Sequence, residues 1–183
     1  MRWIALFLVL LAGPVDAHWM HDWVKQEYKS SVSRRGLDYC LTEKRTNLIV
    51  GLVEKYCAEY NADVFEVMTI LTIESGFVNR IGDRQLKPQR WCFGYGQVQV
   101  RTASDVWGRH VAGWELIKNV DLNIHTTVRY YRMLTSVCPD KQTAVRSYNA
   151  GIAGASRGKG YEYLRRFDAT IRRMEKFSAR RKT

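Results

Sequence analysis

The chain has 183 residues, 46% of them hydrophobic, and carries 29 basic against 18 acidic side chains for a net charge of +11. That length and apolar content suffice for one domain with a substantial core. The charge excess calls for an anionic partner, yet no nucleic-acid recognition motif accompanies it, so a nucleic-acid role rests on charge alone and no nucleic acid is expected.

The chain opens MRWIALFLVLLAGPVDA: one arginine, an apolar run over 3–12, the breaker Gly13-Pro14, then small or permissive residues ending at Ala17. The run is shorter than the roughly 20 apolar residues that span a bilayer. It reads as a signal peptide over 1–17, cut so that the mature chain begins at His18. An exported protein belongs to the periplasm or cell envelope, with peripheral or no membrane association. There the polyanions are peptidoglycan carboxylates, teichoic acid and acidic lipid. Export also predicts two disulfides among Cys40, Cys57, Cys92 and Cys138. A helix over 43–60 would hold Cys40 and Cys57 about 25 Å apart, too far for a bridge that needs Cα atoms within about 7 Å. The other two pairings stay open. An N-terminal His18 with His21 nearby has the donors to chelate copper, but the β-sandwich on which such sites are built has no counterpart in the strand pattern. No metal or cofactor is expected.

Residues 18–44 read as an N-terminal extension: a short amphipathic helix with Trp19, Trp23 and Tyr28, then a polar linker from Ser30 to Gly36. The main domain covers 45–177. Leu48, Ile49, Leu52, Val53 and Tyr56 recur at helical spacing, and Asp63 is placed to cap the next helix. That helix, 64–74, is apolar nearly all round and therefore buried. Its last residue, Glu74, shares a side with Val67, Ile70 and Leu71, where poor solvation raises a carboxyl pKa. Residues 77–98 read as loop, including "CFGYGQVQV". Thr102 caps a helix through Trp107, Asp121 one through Leu134, and Pro139-Asp140 opens one that closes at Gly151. The last helix sets Leu164, Phe167, Ile171 and Met174 on one face and Arg165, Arg166, Arg172 and Arg173 away from it. A basic tail follows over 178–183. With neither repeats nor alternating strands, the fold class is all-α.

Four short clusters hold chemistry-bearing residues in order: Glu74-Ser75-Gly76-Phe77, Gly94-Tyr95-Gly96-Gln97-Val98-Gln99, Asn123-Ile124, and Tyr148-Asn149-Ala150-Gly151. Together, with Ser147 before the last and Tyr163 after it, they resemble the SLT-type lytic transglycosylases, lysozyme-like relatives of goose-type lysozyme. The resemblance spans roughly 45–170. It departs from the family pattern at Gln97-Val98, at Ser147, and in the loop residues Arg84, Lys87, Arg90 and Cys92.

The resemblance implies a compact helical domain whose glycan-binding cleft is served by a single carboxyl. Glu74 would protonate the leaving oxygen between two amino sugars of peptidoglycan, then act as base while the muramic acid C6 hydroxyl closes a 1,6-anhydro ring. Ser75 and Gln99 would bind substrate or orient the acid, and Tyr148, Asn149 and Tyr163 would line the cleft. Two rival readings remain. One is a goose-type hydrolase using Asp83 or Asp105 as base for water. The other is a non-catalytic wall-binding module. A small exported enzyme of this kind, working as a monomer, suits local wall opening for a secretion or conjugation apparatus, a pilus or phage lysis.

Overall fold

A computed structural model describes residues 18–34, 41–82 and 85–181. The predicted signal peptide, Cys40, Asp83, Arg84 and the last two residues of the tail lie outside them. Among the described residues the chain forms nine α-helices and one two-stranded ribbon, so the all-α expectation holds.

Helix α1 (His18–Arg34) runs further than expected, through Ser30 to Arg34 of the predicted linker. Its buried face carries Trp19, Met20, Trp23 and Val24, all at most 2% exposed. Trp19 stacks on Phe65 with ring centroids 4.8 Å apart, and Trp23 Nε1 donates to Thr72 Oγ1 at 3.0 Å. Two aromatics of this size bury enough apolar surface to fix the helix firmly. The polar run from Ser30 to Arg34 is its last turn, and Ser31 is buried. Polarity misled because this turn buries a small hydroxyl, Ser31, beside Val32.

Helix α2 (Glu43–Tyr60) ends at Asn61, which adopts the left-handed conformation at φ 49°. Asp63 then caps α3 (Val64–Glu74), accepting from the Phe65 and Glu66 amides at 2.7 and 3.2 Å. Val67, Met68, Ile70 and Leu71 are fully buried, because α3 is enclosed by α2, by α6 (Val120–Val137) and by α9 (Tyr161–Ala179). Helix α6 also packs on α7 (Lys141–Ala150), which turns at Gly151 into the short α8 (Ile152–Ser156). Asp140 caps α7 by accepting from Thr143 N at 2.6 Å.

Two expected caps move. The N-cap of α4 (Val100–Trp107) is Gln99, three residues before Thr102. Asn119 caps α6, accepting from Leu122 N at 3.0 Å. Asp121, inside the first turn, instead accepts from Tyr56 Oη at 2.7 Å, and α6 runs on to Val137. The segment read as loop contains a 3₁₀ turn at Pro88–Arg90 and the antiparallel strands β1 (Cys92–Phe93) and β2 (Val98–Gln99). Phe93 and Val98 root this ribbon in a second small core with Ala103, Val111 and Leu116, the last from α5 (Gly113–Lys118).

The two expected disulfides are not found among the described residues. Cys40 lies outside them, and Cys57, Cys92 and Cys138 are free thiols. They occupy separate environments. Cys57 lies in the main core, Cys92 in the ribbon with Sγ 3.8 Å from the Arg90 carbonyl, and Cys138 beside Ser147 at 3.6 Å.

Candidate active site

The end of α3 explains how an acid comes to sit among aliphatics. Ser75 N and Gly76 N return to the Leu71 carbonyl, each at 3.2 Å, and Ser75 Oγ donates to that same carbonyl. The chain then takes two successive left-handed residues, Gly76 at φ 60° and Phe77 at φ 61°. A Cβ at position 76 would lie 1.7 Å from Ser31 Oγ, so only glycine lets α1 close over this turn. Two arginines cap the remaining carbonyls: Arg80 Nη2 donates to Glu74 O at 3.0 Å and Arg166 Nη2 to Ile73 O at 3.2 Å. Both guanidinium groups are thereby held near the Glu74 side chain. Among the described residues, however, no cation forms an ion pair with its carboxylate.

The Glu74 pKa is pushed up to about 7, first by burial, against the opposing pull of the Tyr163 hydroxyl, Arg166 and Arg80. Its place at a helix C-terminus works in the same direction as burial, since the dipole there disfavours negative charge. The Tyr163 hydroxyl is near enough to favour the carboxylate, yet closes no hydrogen bond of ordinary geometry. A carboxyl so poised both gives and takes a proton near neutral pH.

Glu74 opens onto a cleft of about 490 Å³ whose walls include Gln99, Tyr148, Asn149 and Tyr130. The ribbon wall is held from behind by Asn123, itself fully buried. Asn123 Oδ1 accepts from Gly96 N at 3.0 Å, and its Nδ2 donates to Phe93 O at 2.9 Å. Gly96 passes so close to α6 that a Cβ there would meet Thr127 Oγ1 at 1.9 Å. Gln97, at φ 47°, offsets its strained backbone by donating to Gly94 O at 2.7 Å and Arg80 O at 3.1 Å. Tyr148 Oη donates to Gly96 O at 2.9 Å, and the Tyr148 ring stacks on Tyr163 with centroids 6.4 Å apart. Burial drives both phenols well above the ordinary tyrosine range, so they stay neutral donors.

Of the residues singled out from sequence, Glu74, Gln99, Tyr148 and Asn149 come together on the cleft. Ser75 is 1% exposed and turned under the helix end, and Tyr163 stands behind Tyr148 as a buried second layer. Sequence reasoning missed Tyr130, Thr102 and Lys159, which also reach the cleft. Tyr130 is legible only as one more aromatic on a long helix, and Lys159 as one more surface cation. Cys92 and Arg90, which depart from the family pattern, both line the cleft. Burial pushes the Cys92 thiol up, so it is a poor nucleophile.

A carboxyl held half-protonated in a polar, tyrosine-walled groove is the equipment of an enzyme that breaks glycosidic bonds. The family model described as the transglycosylase SLT domain matches residues 51–171; the chain belongs to this family, with the lysozyme-like helical fold and the peptidoglycan-directed lytic transglycosylase activity that characterise it. No curated protein matches the sequence.

Proposed function

We propose that the protein is an exported peptidoglycan lytic transglycosylase that cleaves the MurNAc-β-1,4-GlcNAc bond and leaves a 1,6-anhydro-MurNAc end. The observation that carries this reading is the solitude of Glu74. Among the described residues lining the cleft it is the only carboxylate. A hydrolase of the inverting or retaining kind needs a second one within about 5–9.5 Å. Asp105, one of the two candidates, lies exposed on α4, pairs with Arg101 at 3.9 Å and does not line the cleft.

In the forward step the Glu74 carboxyl donates its proton to the glycosidic oxygen as the C1–O bond breaks, leaving an oxocarbenium-like centre at C1. The carboxylate then takes the proton of the muramic acid C6 hydroxyl, whose oxygen forms the new bond to C1. The proton lost in the first step is regained in the second, and no water is consumed. During the interval the carboxylate is supported by the Tyr163 hydroxyl, Arg166 and Arg80. Their pull falls short of a permanent ion pair, so reprotonation stays possible. Gln99 and Asn149 present amides, and Tyr148 its ring, to the sugars.

The apolar start of the chain and its basic surplus support export to the envelope. No helix among the described residues is long and apolar enough to cross a membrane. The role is local opening of the wall for a secretion or conjugation apparatus, a pilus or a lysing phage.

Mass spectrometry of sacculi digested by the wild type, Asp83→Asn and Asp105→Asn tests the reaction class. All three should give anhydro-muropeptides, lighter than the hydrolysis products by one water. Reducing muramic ends that vanish with either aspartate would make the protein a hydrolase.

A further inference from the structure

We infer that Arg90 and Lys159 form an anion-reading subsite that selects glycan strands whose stem peptides keep free carboxylates. The inference deepens the proposed function and rests on it.

The two cations enter the cleft from different segments, Arg90 from the 3₁₀ turn before β1 and Lys159 from the connection between α8 and α9. Each sits on an ordered turn. Arg90 N bonds Lys87 O at 2.8 Å and Trp91 N bonds Pro88 O at 3.1 Å, while Trp91 Nε1 donates to Leu86 O at 2.9 Å. Lys159 N bonds Gly154 O at 3.0 Å. The next residue, Gly160, takes φ 86° and passes so close to Arg146 that a Cβ would lie 2.9 Å from its carbonyl. The backbones are therefore preorganised, whereas the charges are uncommitted: neither side chain forms an ion pair or hydrogen bond among the described residues.

Their neighbours are mostly spoken for. Arg80 and Arg166 cap α3, and Arg146 donates to Ala155 O and covers the Tyr161 ring. Glu74, the only acid among the described residues lining the cleft, is about half-protonated at neutral pH. The two cations on the cleft thus outnumber its one half-ionised carboxyl, leaving a positive rim. In peptidoglycan the nearest anions to the scissile bond are the carboxylates of the peptide carried on the lactyl group of the muramic sugar. Partly exposed charge pairs give modest attraction each, which suits discrimination between strands rather than tight capture.

The test uses sacculi in native form and sacculi whose carboxylates are capped as methylamides by carbodiimide coupling. The proteins are the wild type, R90Q/K159Q, and the charge-matched control R172Q/K176Q, which removes exposed cations from α9. Cleavage is read as kcat/KM for release of soluble muropeptides. Binding is read by co-sedimentation in a Glu74→Gln background. On native sacculi R90Q/K159Q should lose roughly tenfold in both readouts. On capped sacculi it should match the wild type, and the control should lose far less. An equal loss on both substrates, or a loss matched by the control, overturns the subsite. If the wild type cleaves neither substrate, the enzymatic reading has failed, and the binding arm still decides whether these cations read carboxylates.

Discussion

The Tyr148 hydroxyl donates a 2.9 Å hydrogen bond to the Gly96 carbonyl, so the helix that carries Asn149 is tied directly to the ribbon that carries Gln99. This bond couples the two walls of the cleft directly. Tyr148→Phe should lower stability by about 1 kcal/mol and speed hydrogen exchange at residues 94–97. Unchanged exchange there would show that Asn123 alone positions the loop.

Asn123 should matter more than any exposed cleft residue for folding. Asn123→Ala removes the partners of a buried amide and a buried carbonyl, Gly96 N and Phe93 O. The expected cost is roughly 2–4 kcal/mol in chemical denaturation. A loss below about 0.5 kcal/mol would mean that water replaces the amide without penalty.

Gly96→Ala should destabilise by about 1–3 kcal/mol, because the new methyl meets Thr127 Oγ1. Adding Thr127→Ala should recover part of the loss, since the clash is with that side chain. Additive losses in the double variant would place the strain in the backbone instead.

The elevated Glu74 pKa makes a stability claim with a definite sign. Raised from 4.5 to about 7 in the folded state, the group costs nothing below pH 4.5, where both states hold a neutral acid. The folded state loses stability as pH rises from 4.5 to 7, and above 7 it carries the full cost of a buried charge. Glu74→Gln should therefore stabilise the protein by about 3 kcal/mol at pH 8 and hardly at all at pH 4. The wild-type kcat/KM should fall above pH 7, and Arg80→Gln should move that limb upward by removing a cation that favours the carboxylate. A limb unmoved by Arg80→Gln would exclude the arginine from setting the proton's affinity.

With Cys57, Cys92 and Cys138 free, alkylation after denaturation without reductant should label these three cysteines. Two or fewer labelled thiols would show that the bridges expected of an exported chain do form.

The acid was legible in the sequence because α3 is apolar nearly all round and Glu74 is its last residue. Asp63 was legible as a cap, and Pro139-Asp140 as a helix start, because each precedes a clear helical period. Asn119 was not, because Asp121 two residues later offers an equally good cap chemistry and only the Leu122 amide distinguishes them. Helix α1 was half legible: Trp19 and Trp23 announced burial, but the hydroxyls of its last turn hid the packing of Ser31 under Gly76. Tyr130 and Lys159 had no local signal at all, since their presence on the cleft is created by the packing of α6 on α7 and by the turn before α9.

The most direct test of the central claim is muropeptide release from sacculi by Glu74→Gln, with its fold checked by circular dichroism. The amide keeps the shape of the side chain but neither gives nor takes a proton. A folded variant whose anhydro-muropeptide yield falls at least about 10³-fold is the predicted result, in keeping with the loss of general acid and base together. A folded variant that still releases those products near the wild-type rate would contradict the assignment of Glu74 as the acid.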